Sequence, residues 1–255
     1  MLTFISCAKT MSGATAKVRV PNLTVPRFQQ EAVQNALDMA QYSSEELARL
    51  LRVNEKIAAE NYLRYRDFCS QDTKVIPALL AYTGVVFKHI CPADFSAADF
   101  DYAQQHLRIT SFLYGLLRPL DGIKLYRLEG DVRLPERGGI SLFNYWKPLL
   151  TDWFIKTIKE KGGVLLNLAS NEMQDLFDWA RVSREVRVIT PDFQVWKGGK
   201  LASIVVYVKM CRGEMARMVI KNRISNPEDL KSFSWEGFRF DESRSEADHY
   251  QFTLG

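Results

Sequence analysis

This chain is short of the residues on which the commonest site chemistries depend. Its four cysteines, Cys7, Cys69, Cys91 and Cys211, stand singly with no C-x-x-C pair, which argues against a disulfide framework or a zinc ribbon. Its three histidines, His89, His106 and His249, are scattered, and none has a partner at metal-ligand spacing. No metal site is therefore read from the sequence, and no cofactor is expected. No G-x-x-x-x-G-K-[ST] loop, G-x-G-x-x-G turn or G-x-S-x-G elbow occurs, so the familiar nucleotide-binding and hydrolase signatures are missing. Apolar runs stay well below bilayer length, which sets membrane insertion aside. No signal peptide is read ahead of the first strand-like segment, so a reduced, cytoplasmic setting is expected. Cys7 as a nucleophile would need a base and a lowered pKa, and the sequence offers neither.

What is present is an ordinary globular balance: 255 residues, 47% hydrophobic and 25% charged, enough apolar material for a substantial core. The formal net charge of +4 permits an anionic partner without requiring one. Its distribution is uneven. Lys197, Lys200, Lys209, Arg212, Arg217, Lys221 and Arg223 face Glu214 alone, whereas acids dominate from residue 225 onward. By itself this pattern is that of a solvated helix face followed by an acidic tail.

Residues 2–6 read as a buried strand and residues 10–26 as irregular. Helical spacing covers residues 28–42, 45–53 (capped by Ser43 or Ser44) and 55–68, while residues 77–89 fit no single period. Ser96 caps a helix through Phe100, Ala103 and Leu107 towards Leu113. Ser141 opens another through Trp146 and Trp153 that ends at Gly162 and Gly163. Strands are expected over 164–169, 184–189 and 201–209, with Lys197-Gly198-Gly199-Lys200 as a hairpin turn. A helix is expected over 212–223, and Asn226-Pro227 starts a short one.

Four runs carry candidate chemistry. Residues 113–131, LYGLLRPLDGIKLYRLEGD, crowd Arg118, Arg127, Gly115, Tyr114 and Glu129 around turns; guanidinium groups and free N–H groups at a turn suit phosphate or carboxylate. A helix leading into an apolar-Gly-apolar turn over residues 102–120, with Arg108 on the way, loosely matches a helix-hairpin-helix, although Leu117 stands where that hairpin usually has a second glycine. Lys9 and Thr10 follow the first strand. Asn167, Ser170 and Glu172 end an apolar strand, where Ser170 doubles as an N-cap. Lys209, Arg212 and Gly213 lie where a strand is expected to meet a helix; two cations there call for an anion nearby.

Together ISCAKT, QQHLRITSFLYGLLRPLDGIKLYRLEG, NLASNE and KMCRGEMARMVIKNRI, in this order, resemble the YaaA family of bacterial peroxide-stress proteins. The likeness is colinear and covers nearly the whole chain. Cys7 stands where the family usually has proline, and Met210-Cys211 replaces a more basic pair. The resemblance implies one compact α+β domain over residues 1–255, a mixed β-sheet flanked by many helices, a helix-hairpin-helix-like element and a cationic cleft. It implies binding to duplex or structured DNA and a cytoplasmic role in limiting peroxide damage, linked to lowering unincorporated iron. Residue by residue, the cleft would hold Lys9, Arg118, Arg127, Glu129, Asn167, Ser170, Glu172, Lys209 and Arg212.

Two readings follow. In the first, Lys9, Thr10, Arg108, Tyr114, Gly115, Arg118, Arg127, Asn167, Ser170, Lys209, Arg212 and Gly213 meet DNA phosphates. In the second, the chain is an enzyme acting on a nucleotide or nucleic-acid component, a small anionic ligand, with Glu129 and Glu172 as the catalytic candidates. Pure phosphate binders have little use for carboxylates, but a carboxylate beside arginines also serves as a structural ion pair. A shared cleft requires Arg127 and Glu129 to meet Lys209 and Arg212 in space.

Overall fold

The chain opens with β1 (Leu2–Ile5), four buried residues whose nearly continuous apolar character belongs to a strand covered on both faces. The structure, a computed structural model, describes residues 1–14, 18–135 and 138–255. Residues 15–17, inside the stretch expected to be irregular, lie outside the described residues. Three helices come next: α1 (Gln29–Met39), α2 (Ser44–Leu51) and α3 (Glu55–Arg66). Ser43 caps α2 reciprocally with Glu46, and Asn54 accepts from the N–H of Ile57 at the start of α3.

The middle of the chain forms β2 (Ile76–Pro77), α4 (Ala78–Ala81), α5 (Val85–Ile90), α6 (Ala97–His106), β3 (Leu107–Ser111), β4 (Gly115–Leu117), β5 (Gly122–Ile123) and α7 (Leu142–Glu160). The remainder forms β6 (Val164–Asn167), α8 (Trp179–Glu185), β7 (Arg187–Lys197), β8 (Lys200–Ala202), α9 (Val205–Asn222), β9 (Ser234–Trp235), β10 (Phe238–Phe240) and β11 (His249–Leu254). This is the expected α+β architecture, with a mixed sheet flanked by helices. Among the described residues, no helix is long and apolar enough to cross a membrane.

The main sheet runs β4-β3-β1-β6-β7-β11-β10-β9, with β8 paired to β7. β1 lies parallel to both β3 and β6, so that Phe4 sits opposite Arg108 on one side and Asn167 on the other. The parallel run continues through β7 to β11. The chain thus adds strands first to one side of β1 and then to the other, and the carboxyl ends of β1, β3 and β6 share one edge. Such a reversal leaves a crevice at the strand ends where ligands of open α/β sheets commonly bind.

Three local expectations are corrected. The helix capped by Ser96 stops at His106, and residues 107–117 form the antiparallel pair β3–β4, so residues 102–120 are not a helix-hairpin-helix. β-Branched Ile109 and Thr110 suit a strand, and pairing with β1 and β4 fixes them there. Gly115 closes this hairpin at φ +73, where a Cβ would also meet the Trp146 ring at 2.8 Å. Two helices joined by a short turn do occur elsewhere: α2 and α3 pack together through Arg52, Val53 and Asn54, with Arg52 at φ 53.

Second, residues 205–209 begin α9 rather than ending a strand. Val205, Val206 and Tyr207 have strand-type side chains, yet α9 buries Cys211, Met215, Ala216, Val219 and Ile220 at helical spacing, and that packing overrides propensity. Third, Arg184 and Glu185 belong to α8; β7 starts at Arg187 and turns through Gly198 and Gly199 into β8, the hairpin the sequence calls for.

Candidate functional site

The loops leaving the parallel strands enclose a cavity of about 460 Å³. From β1 come Ser6, Cys7, Lys9 and Thr10; after β3 comes Phe112; after β6 come Leu168, Ser170, Glu172 and Met173. The segment from Tyr126 to Glu129 forms another wall, and α5 and α9 complete it with Val85, Phe87, Lys209 and Arg212. Arg127 and Glu129 therefore share one cleft with Lys209 and Arg212.

Hydrogen bonds between distant segments hold this shape. Ser6 Oγ accepts from the N–H of Ser170 at 2.9 Å, tying the exit of β1 to the exit of β6. The N–H of Cys7 donates to Thr110 Oγ1 on β3 at 2.9 Å. Arg127 donates to Glu129 from Nε at 2.8 Å and to the carbonyl of Lys9 at 3.2 Å, while Lys9 Nζ lies 3.0 Å from the other Glu129 oxygen. Tyr65 on α3 donates to the carbonyl of Arg127, and Arg52 pairs with Asp131, so the α2–α3 pair braces the same wall. Glu129 is thus a buttress between two cations: it fixes Arg127 and steers Lys9, whose side chain remains 67% exposed.

The electrostatics divide the cleft. Four cations, Lys9, Arg127, Lys209 and Arg212, meet two carboxylates, Glu129 and Glu172. Burial holds Arg212 below its ordinary value, with Asp192 the counter-charge, and no acceptor among the described residues meets its buried Nε. Burial also pushes the Glu172 carboxyl up; Lys9 opposes the shift, and Glu129, Asp131 and Asp175 add to it. Cys7 is pushed up to about 11, chiefly by burial, which leaves a thiol rather than a nucleophilic thiolate.

Of the residues singled out in the sequence, Lys9, Thr10, Arg127, Glu129, Ser170, Glu172, Lys209 and Arg212 converge here. The others lie outside the cavity lining. Arg118 donates to Asp121 Oδ1 from Nε and Nη2 and to the carbonyl of Val25. Arg108 is 5% exposed, donates to the carbonyls of Gln104 and Leu107, and is drawn down to about 10 by burial and by Arg118. Tyr114 is buried and accepts from the N–H of Lys124, Gly115 makes the β-hairpin, and Asn167 accepts from the N–H of Ala169 to shape the turn after β6. Gly213 lets α9 approach α5, since a Cβ would lie 2.5 Å from the carbonyl of Val86.

The wall supplied by α5 escaped the sequence reading. Its signal was Gly84, which precedes Val85-Val86-Phe87 and whose Cβ would lie 2.7 Å from that of Ala8; only glycine admits so close an approach of helix and loop.

Known proteins match this arrangement of motifs along its length. A protein of Phocaeicola vulgatus called a UPF0246 protein is 67% identical over 254 residues, spanning 100% of this chain and 99% of its own. A UPF0246 protein of Bacteroides thetaiotaomicron is 63% identical over 255 residues, with 100% and 99% covered. One from Porphyromonas gingivalis is 45% identical over 258 residues, with both chains fully covered. The family model described as peroxide stress protein YaaA matches residues 1–244, and the chain belongs to that peroxide-stress family.

Proposed function

We propose that this peroxide-stress protein works by binding DNA, with phosphates seated on the cationic rim of the cleft. The observation that carries the reading is the convergence of Lys9, Lys209 and Arg212, brought from both ends of the chain to one concave edge of the sheet. Arg127 and Glu129 hold Lys9 in place, and the Nε of Arg212 meets no acceptor among the described residues. The paired helices α2 and α3 brace the wall beside this rim and are the part of the fold that best fits the helix-hairpin-helix-like expectation. A cytoplasmic setting and a lowering of unincorporated iron belong to the same proposal.

Fluorescence anisotropy with duplex DNA at several salt concentrations tests the rim. Lys9→Ala and Lys209→Ala should each weaken binding and flatten the log–log salt slope by about one. Unchanged affinity and slope in both variants would remove these residues from the interface.

A second reading is favoured by one observation: Glu172 borders the cleft beside other acids, and its carboxyl is pushed towards the protonated form that a general acid needs. It makes the chain an enzyme acting on a nucleotide or nucleic-acid component, with Glu172 as acid and Glu129 as the ion-paired carboxylate. A turnover screen of nucleotides and nucleosides, with Glu172→Gln as control, decides it; no turnover of any of them retires this reading.

A further inference from the structure

We infer that the cleft takes one nucleoside monophosphate unit, with the base against the apolar inner wall and the phosphate at the cationic rim. The inference rests on the rim reading above for the phosphate and goes beyond it in what lies deeper. A site built for phosphate alone would be polar throughout, whereas this one is walled by Phe87, Phe112, Tyr126, Leu168 and Met173.

The aromatic members of the wall are held by hydrogen bonds and ring packing. The Tyr126 hydroxyl is engaged in a buried hydrogen-bonded group, 2.8 Å from Tyr82 Oη and 2.7 Å from Ser111 Oγ. Phe112 packs edge-on against Phe143, ring centroids 5.4 Å apart, and its carbonyl accepts from Trp146 Nε1 at 2.8 Å. Pre-set aromatic and aliphatic surfaces of this kind suit a planar base, for which stacking is the recognition mode common to every sequence. Glu172 and the Ser170 hydroxyl border the same space and are the groups that could hydrogen-bond a base edge.

Shape points the same way. At about 460 Å³ the cavity falls within the roughly 300–1,000 Å³ of small-ligand pockets. Grooves of a duplex are read by elements that protrude from a protein; a cavity receives instead what protrudes from the nucleic acid, namely a nucleotide turned out of the stack. A free nucleotide offers the same base and phosphate, so the chemistry of the ligand is shared and its source is a matter for experiment.

Calorimetry with the four deoxynucleoside 5′-monophosphates, the matching nucleosides and inorganic phosphate forms the first arm. Anisotropy with a fully paired duplex and the same duplex carrying a single unpaired nucleotide forms the second. Val85→Trp, which fills the cavity from α5, and Phe112→Ala, checked for folding by circular dichroism melts, accompany both. Nucleotides should bind at least about tenfold tighter than nucleosides or phosphate, and the duplex with the unpaired nucleotide about tenfold tighter than the paired one, with Val85→Trp abolishing both preferences. Binding of free nucleotides without any DNA binding upholds the unit, identifies the free nucleotide as its source and refutes the DNA reading. Equal affinity for both duplexes, with no nucleotide bound and a Lys9-dependent salt slope, overturns the inference and leaves the DNA reading intact. Phosphate binding as tightly as the nucleotides also overturns it.

Discussion

Arg118 and Arg127 come from one short run of sequence and end in opposite roles. Arg118 is knotted into structure: Asp121, 1% exposed, accepts from its backbone N–H, from its guanidinium and from Thr24 Oγ1, while Gln104 ties Thr24 to the N–H of Leu120. Arg127 instead borders the cleft, paired with a Glu129 that also holds an exposed lysine. Both arginines have a carboxylate, so possession of a counter-charge does not separate structure from site. What separates them is where the remaining hydrogen bonds go: to the carbonyl of Val25, away from the cleft, in one case, and to the carbonyl of Lys9, whose exposed side chain stands on the rim, in the other.

The largest test of this contrast is Asp121→Ala. It strips the acceptor from Arg118 and Thr24 together and should cost about 3 kcal/mol or more in urea denaturation, as expected when one partner of a buried pair is removed. DNA affinity of the folded fraction should be unchanged. Arg127→Ala comes next. Glu129 keeps Lys9, so the stability loss should be only about 1–2 kcal/mol, while DNA affinity falls about tenfold as Lys9 loses its fixed position. Equal effects of the two substitutions on affinity would erase the distinction.

The smallest effect belongs to Glu172→Gln. A carboxyl raised in the folded state holds protons that the unfolded chain has released, so native stability falls as pH climbs from the ordinary glutamate value of 4.5 towards the folded one. The glutamine variant escapes this loss and should melt slightly higher at neutral pH, with the gain vanishing below pH 4.5. A gain that is independent of pH would mean Glu172 is not destabilised by its surroundings.

Much of the cleft could be read from sequence because small polar and cationic residues directly after an apolar strand mark a sheet edge: ISCAKT and NLASNE have that form, and they delivered Lys9, Thr10, Ser170 and Glu172, though not Asn167. The overall α+β mixture was legible for a similar reason, since capping residues such as Ser43, Ser96 and Ser141 occupy the caps expected of them. The fate of Arg118 was less so, although Asp121 three residues on, across Pro119, was the available sign of a self-satisfied turn. Residues 205–209 misled because β-branched side chains report a half-buried surface rather than a particular backbone. The α5 wall was hidden because its role depends on a loop more than seventy residues earlier in the chain, a closeness that no local pattern encodes.

The placement of β1 between β3 and β6 carries a consequence for synthesis. β1 leaves the ribosome before both of its neighbours, residues 107–109 and 165–167, and until they arrive it is an apolar run with two bare edges. Closing such long loops is entropically costly and slow, and the rim is not complete until Arg212 has followed. A growing chain therefore exposes a sticky strand until residue 167 has emerged and gains its cleft only after residue 212, so that nucleic acid around the ribosome meets an interface that does not yet exist.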